Sequence, residues 1–150
     1  IWNIIRTILQ FQPEGRGTNL VRPLEYLLNL QKRKTVTFFI SDFLAEGYEN
    51  AVKLAKQKHD LIAIRIIDPR EWTLPPVGLL QVQDAETGEI LLVDTGNRQT
   101  LRQYEALCRK KHLQVKRFLN SIGVDLIEIR TDRSLTEPII RYFKMREKKH

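Results

Sequence analysis

Carboxylates and hydroxyls that close an apolar strand are the residues of this chain best placed for chemistry. Ser41-Asp42 closes Thr35-Val36-Thr37-Phe38-Phe39-Ile40, and Asp68 follows Leu61-Ile62-Ala63-Ile64-Arg65-Ile66-Ile67. Thr131 and Asp132 follow a third run, Val124 to Ile129. In open α/β sheets, ligands bind beyond the carboxyl ends of the strands. A carboxylate there can hold a divalent cation through oxygen or water. The same aspartate can instead cap a helix or fix a turn. Asp42 leaves both readings open. Asp68 precedes Pro69, and Asp-Pro opens turns, so it is assigned to turn structure.

Other reactive sets are thin. His59, His112 and His150 lie far apart, none has a metal-like partner four residues away, and all three read as solvated. Cys108 lies on an apolar helical stripe and reads as a buried structural thiol. As the single cysteine it excludes an internal disulfide framework and a multi-cysteine zinc site. No G-x-S-x-G nucleophile elbow is present. Gly15-Arg16-Gly17-Thr18-Asn19 is glycine-rich, but it lacks the phosphate-loop spacing and follows no strand. Thr18 or Asn19 is better read there as a helix cap.

Arg98, Arg102, Arg109, Lys110, Lys111, Lys116 and Arg117 stand against one acid, Glu105, on one helical segment. Such a row can track phosphates. Tyr104 and Phe118 fall on its core side instead of interleaving as stacking platforms, and a solvated helix face is the plainer reading. Arg141, Lys144, Arg146, Lys148 and Lys149 are read the same way.

The elements that must position these groups follow from hydrophobic period. The chain has 150 residues, 42% hydrophobic and 29% charged, with a net charge of +7 spread over both halves. That composition describes one globular domain and excludes a disordered chain. No apolar run reaches the ~18 residues of a membrane span, so a reducing, aqueous, cytoplasmic setting is expected. Ile1 to Phe11 and Leu20 to Leu30 carry helical stripes, with Pro13 to Gly17 as a turn between them. Pro23 is awkward in the second helix unless it sits in the first turn.

Thr35 to Ile40 reads as a buried strand, Ala45 to Lys58 as a helix, and Leu61 to Ile67 as a second strand. Leu79–Gln83 and Glu89–Val93 read as hairpin arms, with Gly88 supplying positive φ in the turn from Asp84. Asn97 to Ser121 is the longest helix, with Gly123 as its stop. Val124 to Ile129 alternates more than the other strands and reads as nearer an edge. Ser134-Leu135-Thr136-Glu137 resembles a capping box for a helix from Leu135 to about Lys144, leaving a frayed tail from Met145. The expected fold is therefore α/β in three layers: a mostly parallel sheet flanked by helices on both faces, with a β-hairpin insertion.

Gly17-Thr18-Asn19-Leu20, the leucine-rich helix, and Val36 to Phe43 together resemble the "domain of unknown function 58" family of bacterial proteins. So do His59-Asp60-Leu61-Ile62-Ala63-Ile64-Arg65, Asp68-Pro69-Arg70-Glu71, Leu74-Pro75, Val77-Gly78-Leu79, Asp84-Ala85-Glu86-Thr87-Gly88-Glu89, Gly123-Val124-Asp125-Leu126 and Thr131-Asp132. That family is similar to von Willebrand factor A-type domains, Rossmann-like sheets with a metal-ion-dependent adhesion site.

The resemblance implies that Thr18 is the site's threonine and Asp42 its last aspartate. The Asp-x-Ser-x-Ser element and the first strands would lie upstream of Ile1. On this reading the 150 residues are the C-terminal portion of such a domain. The resemblance implies Mg2+ in the intact protein and an incomplete, empty site at Thr18 and Asp42 in this fragment. It also implies a non-enzymatic adaptor working with a protein partner such as a MoxR-type AAA+ ATPase, and in some full-length members an upstream membrane segment. An unpaired edge at residues 35–40 would invite a homo-dimer. The alternative is a nucleic-acid-binding module using the basic helix 98–117.

Overall fold

The computed structural model describes residues 1–12, 17–84 and 88–148. Three parallel strands, β1 (Val36–Ser41), β2 (Asp60–Ile67) and β5 (Asp125–Arg130), form the main sheet with β2 in the centre. A separate antiparallel hairpin pairs β3 (Leu79–Gln83) with β4 (Ile90–Asp94). Five α-helices, α1 (Trp2–Gln10), α2 (Val21–Leu30), α3 (Glu49–Lys58), α4 (Arg98–Ser121) and α5 (Thr136–Glu147), and a short 3-10 turn at Pro69–Glu71 complete the described elements. A small parallel sheet flanked by helices is thus the architecture. β5 takes an edge, as its alternation predicts.

The register sorts the side chains. Phe39 and Ala63 are partners, as are Thr37 and Leu61, and they share a face because paired residues point the same way. That face is buried with Leu20, Leu24, Ala51, Val52, Ala55 and Leu119 of the helical layer. The opposite face carries Ile62, Ile64, Ile127 and Ile129, packed with Tyr142 of α5. One helix cannot cover three strands. Val36, Phe38 and Ile40 of β1 therefore stay exposed, contrary to the expectation of a fully buried strand. Among the described residues no strand pairs with the outer edge of β1.

Local signals explain most boundaries. Asn19 caps α2, its Oδ1 accepting the Val21 and Arg22 N–H groups. Pro23 is the third residue of that helix, where no intrahelical donor is lost. Gly88 (φ +75°) closes the hairpin and Gly123 (φ +68°) terminates α4, both as expected. The turn residues 85–87 and the loop residues 13–16 lie outside the described residues, as does His150. Two boundaries differ from expectation by more than one residue. The α3 helix begins at Glu49, because the chain bends through Ala45 to Gly47. The α5 helix runs on to Glu147 instead of fraying after Lys144.

The reason for that second extension is a polar clamp. The Tyr142 hydroxyl donates to Asp125 Oδ2 (2.8 Å) and accepts from Arg146 Nη1 (2.7 Å). Arg146 Nη2 also donates to Asp60 Oδ2. The last turn of α5 is thereby tied to the starts of β2 and β5. Tyr142→Phe keeps the ring but removes the bridging hydroxyl. It is expected to lower the unfolding free energy by about 1–2 kcal/mol, read from urea denaturation at neutral pH.

Candidate functional site

The site is built around the turn that leaves β1. Phe43 has φ +60°, an uncommon conformation for a bulky residue. Five contacts hold it. The Phe43 N–H donates to Ser41 Oγ (3.0 Å) and the Leu44 N–H to Asp42 Oδ1 (3.1 Å). The Phe43 ring packs edge-on against Phe39 (5.4 Å) and Tyr48 (5.7 Å). From the central strand, Arg65 Nε donates to the Asp42 carbonyl (3.3 Å). The buried ring anchors the turn, and the Asp42 side chain is left exposed at its tip.

Arg65 is the residue that sequence reasoning passed over. It lies within an apolar run, and it is only 4% exposed. A charge inside a buried strand is itself the informative signal. Its Nη1 donates to His112 Nδ1 (2.8 Å) and to the His112 carbonyl (3.2 Å). His112 Nε2 lies 3.2 Å from Glu128 Oε1, and Lys116 Nζ lies 3.5 Å from Glu128 Oε2. The Trp72 ring stands 4.8 Å from the imidazole. Burial lowers the pKa of His112, and the Arg65 charge lowers it further against the pull of Glu128.

Beside this network opens a cavity of about 520 Å3, lined among others by Asp42, Arg65, Glu71, Trp72, Tyr104 and Lys111. Desolvation, then Asp68 and Asp42, push the Glu71 carboxyl above its ordinary value. The Tyr104 hydroxyl donates to the Glu71 carbonyl (2.7 Å), and burial with Cys108 alongside pushes its pKa up to about 12.

Several expectations are corrected here. His59 and His112 are not solvated: His59 is 2% exposed with Nδ1 on Thr35 Oγ1, and His112 is locked into the Arg65 network. Cys108 is only partly buried and lines the cavity.

Asp68 is a turn residue as predicted, its Oδ1 accepting the Arg70 N–H. Asp132 pairs with Arg130 through two bonds (2.9 and 2.8 Å). Asp42 follows β1, and Thr18 lies exposed just before α2. Arg98, Arg102, Arg109, Lys110, Lys111 and Arg117 are exposed along α4, and Lys116 is exposed but paired with Glu128.

Magnesium takes near-octahedral oxygen coordination. Thr18 and Asp42 supply one hydroxyl and one carboxylate, and no group of three or more metal-binding side chains occurs among the described residues. The described residues by themselves do not fit that ion. Among the described residues, no helix is long and apolar enough to cross a membrane.

Residues 1–114 match the family described as "Protein of unknown function DUF58". The chain belongs to this family. It is 28% identical to an uncharacterized protein of Mycobacterium avium, over 91% of this chain and 80% of that protein. It is 29% identical to uncharacterized proteins of Mycobacterium bovis and Mycobacterium tuberculosis, over 97% of this chain. It spans 46% of their length. No solved structure gives a significant match.

Proposed function

We propose that this chain is a non-enzymatic protein-interaction domain whose partner contact is the rim around Asp42. The observation that carries the reading is the Phe43 turn. A strained backbone held by its neighbours' side chains and by a buried arginine presents one exposed carboxylate beyond a parallel strand. Strain of this kind collects at functional sites, where surrounding contacts over-determine it. The finer reading makes the fold von Willebrand A-like and the rim a remnant adhesion site, with Thr18 beside Asp42. Ligands for Mg2+ beyond these two would come from the rest of a longer protein. The partner is a MoxR-type AAA+ ATPase, and the free edge of β1 accepts a further strand, including one from a second copy.

The test measures binding of the full-length protein to a MoxR-type ATPase of the same organism by biolayer interferometry. Asp42→Ala is expected to weaken binding about tenfold or more, equivalent to about 1.4 kcal/mol. Binding unchanged in that variant overturns the reading. EDTA separates metal-bridged from direct contact.

The second reading, nucleic-acid binding, is favoured by the exposed cations along α4. Retention on DNA or RNA that falls steeply with salt, and that Arg102→Glu with Arg109→Glu abolishes, would replace the first reading.

A further inference from the structure

The Arg65–His112 bond fixes more than a contact. A guanidinium has donors only, so His112 Nδ1 must offer its lone pair and the ring proton must sit on Nε2. The imidazole is therefore neutral in this arrangement. Nε2 approaches Glu128 Oε1 at 3.2 Å without hydrogen-bond alignment, and that oxygen is buried with no hydrogen-bond partner. A waiting acceptor thus stands on one side of the ring and a donor-only cation on the other. The charged groups facing His112 are Arg65 from β2, Glu128 from β5, and Lys116 from its own helix α4. Trp72, following the turn at Pro69–Glu71, closes the ring's remaining side without charge.

We propose that His112 is a proton-operated latch on the Asp42 rim, with Arg65 as the positioning residue between them. Neutral His112 holds Nη1 of Arg65, whose Nε holds the Asp42 carbonyl and with it the left-handed turn at Phe43. When a proton binds Nδ1, that atom becomes a donor facing a donor at hydrogen-bond distance. The bond breaks, and the imidazolium turns toward Glu128, whose orphaned oxygen gains a donor. Arg65 Nη1 is then left with the His112 carbonyl (3.2 Å) as its one acceptor on α4, and the Asp42 turn loosens. The rim is set at neutral pH and released in mild acid. This control rests on the reading of the Asp42 rim as the partner contact, and it adds the regulation of that contact.

The test is an NMR titration of the full-length protein labelled with 15N-histidine, 15N-phenylalanine and 15N-leucine. His112 Nδ1 is expected to show an unprotonated signal at pH 7.5 and to titrate below the ordinary 6.5. The Phe43 and Leu44 amides are expected to shift with the same midpoint. In His112→Gln the side-chain carbonyl accepts from Arg65 at every pH, so both amides should stay in place over that range. Glu128→Gln keeps the histidine and removes the carboxylate that favours its charge, so the midpoint should move further down.

Titration at or above 6.5, amides that move equally in His112→Gln, or an unmoved midpoint in Glu128→Gln each overturn the latch. These signals are read without a partner. A latch that holds while Asp42→Ala leaves partner binding intact would remove the contact reading alone.

Discussion

Phe43→Ala is expected to lower the unfolding free energy by about 3–5 kcal/mol, and Phe43→Gly by about 0.5–1 kcal/mol less. The first figure follows from the loss of a ring that is 3% exposed and wedged between Phe39 and Tyr48. The second follows from the backbone. At φ +60° a Cβ crowds the following carbonyl, and alanine keeps that clash while glycine removes it. In an ordinary helix or strand interior the order is reversed, because glycine loses more freedom on folding. Urea denaturation of the two variants side by side decides the matter. Alanine more stable than glycine would show that the turn after β1 is not left-handed in solution.

The second large effect belongs to Arg65. Arg65→Met preserves much of the volume inside the helical layer but strips the donors from the Asp42 carbonyl, His112 Nδ1 and the His112 carbonyl. The His112 carbonyl keeps its helical N–H partner within α4, but the Asp42 carbonyl and His112 Nδ1 lose theirs; each such acceptor costs about 1–3 kcal/mol and the two are not additive, so a loss of about 2–4 kcal/mol is expected at pH 7.5. Arg65→Lys keeps the charge, but one ammonium cannot span both partners as the guanidinium fork does. It should fall between wild type and Arg65→Met.

The pH dependence has a definite sign. Burial and Arg65 depress the folded-state pKa of His112, so below 6.5 the unfolded chain binds the proton more readily. The stability that comes from neutral His112 is complete above 6.5 and is lost as pH falls through the folded value. Glu71 acts oppositely, since its raised pKa adds stability as pH drops toward 4.5. The comparison therefore starts at about pH 7.5 and runs down through 6.5, where the unfolded chain takes up the His112 proton. Over that interval wild type should lose stability more steeply than Arg65→Met, which keeps the burial of His112 but not the neighbouring cation. Equal slopes would mean that Arg65 does not act on the imidazole.

These effects centre on residues that sequence patterning treats unequally. Asp42 is legible because a carboxylate after Val36 to Ser41 must fall beyond a strand end. Arg65 is legible only as an anomaly in the run from Leu61 to Ile67, and nothing adjacent names its partner. His112 carries no local mark at all. It sits among Lys110, Lys111 and Lys116, which suggests a wet surface, yet it is drawn inward because it falls on the same side of α4 as Cys108, Val115 and Leu119. Its two partners arrive from β2 and β5.

Hydrophobic period by itself determined the order of helices and strands, the parallel pairing that such an order imposes, the hairpin, and the acids at the strand ends. These depend on interactions a few residues apart along the chain. Only the tertiary structure decided that β2 would be central, that one face of β1 would stay exposed, and that Arg65 would meet His112 across 47 positions. The physical reason is that periodicity tells which side of an element is apolar. Which buried polar group finds which partner depends on how three separate elements are brought against one another, and that is settled only when they pack.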